Sequence, residues 1–559
     1  MLALLSIIVS LRKIKILLLF GAATVGLSQA WAQRFYIEPD GVNYLDIANT
    51  YVQHDWKNAI NAYWSPLWSL LLGLILWLTH PSLYWESTLV HFVSFLVYIC
   101  VLTSFTWFLQ ELIALCSEQA NWKPKSEGLT TLAWLILGYT TLTHVLLVMG
   151  GPGLDTPDLC VATLFFIASA MLVRMRRGVY GWRLCVGLGA VLGLAYLSKT
   201  VMFPLAFVFL FCGIFVTNDR KRAMSGMLLA FLVFLAISGP FLVILSHAKN
   251  RLTFGDSGRL AYAWLVNGGG THIHGMRQLS EVPRAYEFST PIAGTYPPWY
   301  DPSYWNEGIL PRFDWRAQLR RLRSSGHEYF LILSARRALA VGLLVLLLFA
   351  GDPQCFRKAI GILWTVWLPA LAALVLYAMV YVEPRYIPAA ELVLWCSAFA
   401  AIRLPRLDTS RRLGNCVAIA VAVALGITIL SETFGNLAAA AKRPHHLEWE
   451  VAMSLRQKGL RPADTVAVLG HEDKADYWAH LAQVRIVADL SADELPSFWE
   501  ASAEVQSFVL DAFANTGAKI LVTHAKPPAA HSEGWQRLND TDYFALPLSN
   551  RMCRKQRTP

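Results

Sequence analysis

Residues 184–217 read LCVGLGAVLGLAYLSKTVMFPLAFVFLFCGIFVT, an apolar stretch with a single charged residue, Lys199. A helix needs about 20 apolar residues to cross a bilayer, so the stretch predicts two short crossings, 184–198 and 201–217, joined by a polar turn. The rest of the chain has the same character, because 55% of its 559 residues are hydrophobic, 15% are charged and its mean hydropathy is +0.42. Soluble chains carry about a quarter charged residues. The composition therefore excludes a water-soluble fold and predicts an α-helical polytopic membrane protein.

Apolar runs along the chain predict about 11–13 spans. The candidate spans are 14–32, 88–113, 130–149, 158–173, 184–198, 201–217, 226–245, 336–350, 359–381, 386–402 and 413–431. A further run, 65–79, is short and begins at Ser65-Pro66, and we interpret it as re-entrant or tilted. The amino-terminal run also has the form of a signal peptide that ends at Ala30-Trp31-Ala32. The aromatic residues that follow favour a retained membrane anchor.

The basic residues indicate the orientation of the chain. Its net charge of +10 comes from short clusters between apolar runs, where the positive-inside bias places them, so we expect no nucleic-acid partner. If run 65–79 does not cross, all the clusters lie on the cytoplasmic side of an inner membrane. The extracytoplasmic side then receives loops 33–64 and 246–335, the turn 150–158 and the C-terminal region. The clusters are Arg12/Lys13/Lys15, Lys123/Lys125, Arg174/Arg176/Arg177/Arg183, Arg220/Lys221/Arg222, Arg357/Lys358 and Arg403/Arg406/Arg411/Arg412.

The C-terminal region has a different pattern from the rest of the chain. Short runs at 466–470, 485–490 and 519–524 predict strands, and 494–515 predicts a helix between the last two. This alternation predicts a small α/β domain, 432–559, outside the membrane, after a transmembrane domain, 1–431. The nine cysteines show no paired or metal-ligand spacing, and most lie in or beside apolar runs, which is typical of buried thiols.

Polar residues that could perform chemistry follow the first span. Residues 38–48 read EPDGVNYLDIA, and Asp55-Trp56 comes soon after. These residues predict interfacial helices, with Asp40 as a candidate cap of a helix over 41–52 and Asp46 and Asp55 as solvated carboxylates.

Further charged residues stand at the ends of later spans. Residues 150–159 read GGPGLDTPDL, in which Thr156 could cap a helix and Asp158 would lie near its positive end. Asp158 is also a candidate site residue, because carboxylates at a membrane edge are costly unless they are used. Lys199 could extend to the interface without any specific role.

A charged motif lies at the turn between the spans 359–381 and 386–402. Residues 381–388 read YVEPRYIP, and Glu383 and Arg385 could form an exposed ion pair there. Arg385 could instead bind a phosphate with two parallel hydrogen bonds.

Loop 246–335 is too long for a simple connection, so we expect it to cover a site or to rest on lipid headgroups. Its aromatic run YPPWYDPSYW, residues 296–305, suits stacking on a sugar as well as contact with the membrane surface. His272 and His274 alternate as metal ligands on a strand would, but no third ligand stands near them in the sequence.

The order of these motifs resembles the GT-C class of membrane glycosyltransferases. An acid just past the first span, a helix with Tyr and Ala, and Trp64-Ser65-Pro66-Leu67 at the start of the next run are similar to the first external loop of that class. The class includes aminoarabinose transferases that act on lipid A and protein mannosyltransferases, which take a sugar from a polyprenyl phosphate carrier. The resemblance covers about residues 10–240 and the 383–388 motif. It implies a GT-C-like fold and an inverting transferase that uses a polyprenyl phosphate-sugar donor and a lipid or glycan acceptor.

The resemblance also implies roles for individual residues. Asp40 takes the position of the catalytic acid/base, and Asp158 that of a second acid. Lys199, in a Leu-x-Lys turn, and Arg385, in an acid-x-Arg-Tyr motif, take the positions of phosphate contacts. The further substrate-binding candidates are Glu383, Tyr386 and Tyr44. Gly41 follows Asp40 where the class usually has a second acid, which leaves open whether a divalent cation, Mg or Mn, takes part.

Two other classes of function are compatible with a polytopic chain. A transporter or lipid flippase would show paired repeats and charges at mid-membrane, and the sequence shows neither clearly. An assembly or sensor protein would work through its C-terminal domain. The clustering of polar residues on one predicted face favours the transferase.

Overall fold

The computed structural model describes residues 2–120, 126–269, 274–288, 294–350, 353–442, 445–471 and 477–548. The basic pair Lys123 and Lys125 and the candidate ligand His272 lie outside these described residues.

Helices make up most of the described chain. In chain order they are α1 (Leu2–Ala32), α2 (Pro39–Val52), α3 (Trp56–Ala59), α4 (Pro66–Thr79), α5 (Leu83–Ala120), α6 (Thr131–Val148), α7 (Asp158–Arg176), α8 (Trp182–Ser198), α9 (Met202–Ile214), α10 (Arg220–Ala248), α11 (Ser257–Leu265), α12 (Pro297–Tyr300), α13 (Pro302–Trp305), α14 (Trp315–Ser334), α15 (Arg337–Leu348), α16 (Pro353–Ile362), α17 (Trp364–Val380), α18 (Pro388–Ala401), α19 (Asp408–Lys442), α20 (Leu447–Gln457), α21 (Tyr477–Ala482), α22 (Leu495–Glu500) and α23 (Ala503–Asn515).

The strands form two sheets. They are β1 (Ser126–Glu127), β2 (Met276–Glu281), β3 (Arg284–Phe288), β4 (Leu404–Pro405), β5 (Thr465–His471), β6 (Arg485–Ser491), β7 (Ile520–Thr523), β8 (Gln536–Arg537) and β9 (Phe544–Pro547). β1 pairs with β4, and the other strands form a seven-stranded sheet in the order β2-β3-β6-β5-β7-β9-β8. β5 runs parallel to both β6 and β7, and the remaining pairs in this sheet are antiparallel.

The chain folds into two compact units. The first, here called the helical unit, contains residues 1–34, 91–268 and 311–442. The second, the mixed unit, contains residues 35–90, 269–310 and 443–559. The seven-stranded sheet therefore belongs to a unit that also includes two segments the sequence places in external loops.

The helical unit has the character of a membrane domain. Among the described residues, six helices are long and apolar enough to cross a membrane, and they lie in α1, α5, α6, α7, α10 and α19. Two bent pairs, α14 with α15 at 77° and α16 with α17 at 76°, raise the number to eight. The polytopic helical class is confirmed. A count of 11–13 crossings also needs shorter apolar helices such as α8, α9 and α18 to cross, and it stays a prediction.

α4 covers the run 65–79, which we interpret from the sequence as re-entrant or tilted. Its 14 residues span about 21 Å, less than the hydrocarbon core of a bilayer.

α8 packs closely on α10 because its contact surface carries glycines. A Cβ on Gly189 would stand 2.1 Å from the carbonyl oxygen of Ala230, and one on Gly193 would stand 2.8 Å from the Cβ of Ile237.

The mixed unit has an apolar core between its sheet and the surrounding helices. The three strands that the sequence predicts are present as β5, β6 and β7, and the predicted helix 494–515 is present as two helices, α22 and α23. The sequence does not predict β2 and β3, which lie inside loop 246–335 and join the same sheet through β6. The core includes Leu469, Leu490 and Phe513, each fully buried.

Candidate functional site

The helical unit places Asp158 and Lys199 in direct contact. Asp158 is the first residue of α7 and follows a turn in which Gly150 adopts a φ of 96°. Lys199 is the residue that ends α8. The Lys199 Nζ donates to Asp158 Oδ1 at 2.6 Å, and the side chain of Asp158 is only 5% exposed. Lys199 therefore neutralises a buried carboxylate and does not simply extend to the interface.

The start of α7 differs from the sequence expectation. The sequence suggests Thr156 as a helix cap, but Pro157 occupies the cap position, with no side-chain cap hydrogen bond. The Thr156 hydroxyl instead donates to Asp158 Oδ2 at 2.8 Å. Thr156 thus fixes the orientation of the carboxylate, because both Asp158 oxygens have a donor.

The turn after α17 brings a second cation to the same place. Residues Pro384–Tyr386 form a 3-10 turn, and the Tyr386 ring lies 3.4 Å from Lys199 Nζ, a cation–π distance. Tyr386 also stacks on Tyr377 of α17, with ring centroids 5.3 Å apart. Arg385 pairs with Glu383 at 3.1 Å, but the side chains are only 11% and 28% exposed, so this is not the exposed ion pair that the sequence suggests as one alternative.

Asp158 and Arg385 line a narrow cavity of about 10 Å³ with Leu146, Met149, Gly151, Leu154, Leu159, Ala162 and Pro388. A cavity of this size holds about one water molecule. The site in the helical unit therefore contains two cations, Lys199 and Arg385, and two carboxylates, Asp158 and Glu383. It has almost no free volume. An incoming phosphate would have to replace Asp158 or Glu383 as the partner of a cation.

The mixed unit holds Asp40 beside a cluster of aromatic side chains. Asp40 is the second residue of α2, whose cap is Glu38, so Asp40 is not the cap that the sequence suggests. Asp40 Oδ1 accepts a hydrogen bond from Trp299 Nε1 at 3.2 Å. The Trp299 ring lies 5.6 Å from Tyr63 and 5.6 Å from Trp64, centroid to centroid. A half-buried carboxylate at an aromatic wall is suited to bind a polyol such as a sugar.

Tyr44, a substrate-binding candidate, lies one helical turn further along α2. Its side chain is buried, and its ring meets Trp64 edge-on at 5.1 Å. Its carbonyl oxygen accepts from the Ser69 hydroxyl of α4. In this structure Tyr44 supports the packing of α2.

The expectation for Asp46 is wrong. Asp55 caps a short helix, α3, whereas Asp46 is buried and accepts from the amide and hydroxyl of Thr295 at 2.6 and 3.1 Å. Its Oδ1 also lies 2.7 Å from Nδ1 of His480, whose Nε2 lies 2.8 Å from Glu86 Oε2. Burial alone would lower the pKa of His480, but the two carboxylates raise it to about 10. A buried imidazolium thus joins α2, the start of α5 and α21.

The sequence does not predict this Asp46–His480–Glu86 network, because His480 lies 434 residues after Asp46 and 394 after Glu86. A local signal existed nonetheless. His480 stands in an otherwise apolar segment, YWAHLA at 477–482, and Asp46 stands between Leu45 and Ile47. A lone ionisable residue in an apolar segment needs a buried partner.

The predicted site residues thus fall into two groups. Asp158, Lys199, Glu383, Arg385 and Tyr386 come together in the helical unit. Asp40 and Tyr44 share α2 in the mixed unit.

The side chains of the described residues that could bind a metal give little support for a metal site. No group of three or more His, Cys, Asp or Glu side chains there is placed to hold an ion. The carboxylate near the His274 ring is that of Glu307, at 3.9 Å, and Asp158 already has Lys199 as its partner. The free thiols are those of Cys100, Cys116, Cys160, Cys185, Cys212, Cys396 and Cys416.

The fold, in contrast, has counterparts among solved structures. Neither the family models nor the curated proteins with which the chain was compared match it. ArnT from Cupriavidus metallidurans in the apo state is 14% identical, with a TM-score of 0.53 over 98% of this chain and 99% of that one. The apo oligosaccharyltransferase of Archaeoglobus fulgidus is 13% identical, with a TM-score of 0.50 over 91% of this chain and 69% of that one. At such identities the likeness concerns the fold, and the chain has the GT-C-like fold, a polytopic helical protein with a small α/β domain.

Proposed function

We propose that this protein is an inverting glycosyltransferase of the GT-C kind. It would move a sugar from a polyprenyl phosphate donor to a lipid or glycan acceptor at the extracytoplasmic face of an inner membrane. The observation that carries the proposal is the likeness to ArnT over nearly the whole of both chains. The side chains described above supply a carboxylate for proton transfer and cations for a phosphate.

The reaction needs a base near the acceptor. The acceptor oxygen forms a bond to the anomeric carbon of the sugar, the bond from that carbon to the phosphate oxygen breaks, and the acceptor proton leaves. A hydroxyl is a poor nucleophile at neutral pH, and a carboxylate within hydrogen-bond reach can take its proton. We assign this role to Asp40, because its carboxylate is half-buried and oriented by Trp299 at an aromatic wall.

The leaving group is a lipid phosphate, whose growing negative charge needs cations. We assign this role to Lys199 and Arg385. Asp158 and Glu383 hold them in place before the donor binds, at 2.6 and 3.1 Å. Tyr386 supports Lys199 through its ring. Tyr44 keeps only a supporting role for α2.

The test is sugar transfer by the purified, full-length protein with a panel of undecaprenyl phosphate-linked hexoses and pentoses. The readout is release of undecaprenyl phosphate. Asp40→Asn should lower turnover by about 10²- to 10⁴-fold, the usual contribution of a general base. Asp55→Asn is the matched control, because it removes a carboxylate of the same unit that only caps α3.

Two different results would contradict the proposal. Full turnover by a well-folded Asp40→Asn protein would contradict the assignment of the base. Movement of the intact donor across a vesicle membrane, without cleavage of the sugar–phosphate bond, would show a flippase instead.

A further inference from the structure

Helix α14 carries a basic stripe that the proposed reaction does not use. Arg316, Arg320, Arg323 and His327 follow the spacing i, i+4, i+7, i+11, which places them on one line of a helix. All four side chains are exposed. In the described part of the chain, none of these three arginines forms an ion pair with a carboxylate. Three arginines and a histidine in a line, without acids between them, point to an anionic partner.

A second stripe lies beside the first. Its members are large apolar side chains: three directly precede an arginine of the basic stripe, and Phe330 lies three residues after His327. The exposed fractions are 58% for Trp315, 55% for Leu319, 39% for Leu322 and 67% for Phe330. Large apolar side chains exposed in this number usually mark a surface for a membrane or a partner. A helix with adjacent apolar and cationic stripes suits the boundary between acyl chains and headgroups, where arginine extends towards phosphate.

The remaining side of α14 is fixed to the helical unit. Gln318, Ser325 and Tyr329 donate hydrogen bonds to the carbonyl oxygens of Met379, Ala378 and Leu374, at 3.0, 2.9 and 2.7 Å. All three acceptors lie in the C-terminal half of α17. The two exposed stripes are therefore held in a set orientation and do not need another part of the chain to cover them.

The direction of α14 also suits a membrane surface. The axis of α14 is bent by 77° from that of α15, which is apolar from Ala338 to its end. If α15 enters the bilayer, α14 lies nearly along its surface, because the two axes are almost perpendicular.

We propose that α14 is an interfacial helix whose arginine stripe binds the phosphate groups of anionic phospholipids in the leaflet on which it lies. Complementary charge favours phospholipid headgroups, and the adjoining apolar stripe favours a lipid over a soluble polyanion. This inference does not depend on sugar transfer.

The test uses the full-length protein in neutral detergent at low salt, titrated with phosphatidylglycerol or phosphatidylcholine and measured by native mass spectrometry. Each cation near an anionic lipid surface strengthens binding by about five-fold, so R316Q/R320Q/R323Q should bind phosphatidylglycerol about a hundred-fold more weakly. The Arg→Lys triple variant should retain most of the binding. The control triple variant, K57Q/R461Q/K526Q, removes the same charge from exposed positions of the mixed unit and should bind as the wild type does.

Several results would overturn the proposal. They are equal binding of phosphatidylcholine by the wild type, unchanged binding by the Gln triple variant, and an equal loss in the control. Glycerophosphoglycerol, the same headgroup without chains, should compete only weakly, and equal competition would show a site for a soluble anion. A benzophenone amino acid at position 319 should crosslink phospholipid in native membranes, and an adduct with another protein instead would identify a protein partner and refute the proposal.

Discussion

His480 is a residue whose surroundings decide its charge. Two carboxylates within 2.8 Å keep a buried imidazole protonated at neutral pH. The group carries one positive and two negative charges, so removal of the histidine would leave two buried anions close together. Removing one member of a buried ion group destabilises a protein strongly, because the remaining charges stay buried without a partner. Replacing the whole group with apolar side chains costs far less.

His480→Gln should therefore destabilise the mixed unit by about 3–5 kcal/mol. The folded pKa of His480, about 10, lies above the ordinary value of 6.5. The stabilisation is thus complete below about pH 6.5 and is lost as the pH rises towards 10. The difference between wild type and variant should fall by about 1.4 kcal/mol per pH unit between pH 7 and pH 9. Chemical unfolding followed by tryptophan fluorescence at several pH values measures it.

His524→Gln provides the control for this titration, because His524 is exposed in the same unit. It should change neither the stability nor its pH dependence. A pH-independent difference between wild type and His480→Gln would mean that the imidazole is neutral in the folded protein.

The Lys199–Asp158 pair allows a role in binding to be separated from a role in structure. Lys199→Gln leaves Asp158 buried without its cation, so a loss of activity in this variant alone would be ambiguous. The double variant Asp158→Asn/Lys199→Gln removes both charges and should recover thermal stability. If Lys199 binds the donor phosphate, the double variant should still show a KM for the donor raised by at least about ten-fold, as for the loss of a charged hydrogen bond. Recovery of activity together with stability would reduce Lys199 to a structural partner of Asp158.

At the scale of elements, the contact between α8 and α10 is set by glycine. Gly189→Ala would place a Cβ 2.1 Å from a backbone oxygen of Ala230, which cannot move without its helix. We expect a loss of about 1–3 kcal/mol, partly offset by the better helix propensity of alanine. Gly187→Ala on the same helix meets only the flexible end of Met171 and should leave the melting temperature unchanged or slightly higher. Thermal unfolding in detergent compares the two, and equal melting temperatures would contradict the close contact.

The elements that the sequence predicts well are those with local signals. Apolar length predicts α5, α6, α7 and α10, and the runs of β-branched and aliphatic residues predict β5, β6 and β7. β2 and β3 carry no such run, because their pattern mixes charged and apolar residues, and their stability comes from pairing with β6. Tertiary pairing of this kind overrides local propensity.

At the scale of the whole molecule, the candidate site also combines residues that have a local signal in the sequence with contacts that have none. The resemblance to the GT-C class selects Asp158, Lys199 and Arg385 individually, each from a short local motif at the end of a predicted span. Their mutual contacts, and the burial of Asp46 by His480, depend on segments that are distant in the chain and could not be predicted. The mixed unit is the extreme case, since it is assembled from 35–90, 269–310 and 443–559.

Because the mixed unit is assembled from three separate segments of the chain, we expect these segments to unfold together in one cooperative step. Leu490→Ala removes a fully buried side chain of β6 from the core of the mixed unit, at a cost of about 2–5 kcal/mol. Because β3 pairs with β6 and His480 bonds to Asp46, amide hydrogen exchange should accelerate together in α2, β3 and β6. Leu425→Ala, a matched deletion in α19 of the helical unit, should leave these three elements protected. Faster exchange confined to β6 would mean that the C-terminal segment folds as a domain of its own.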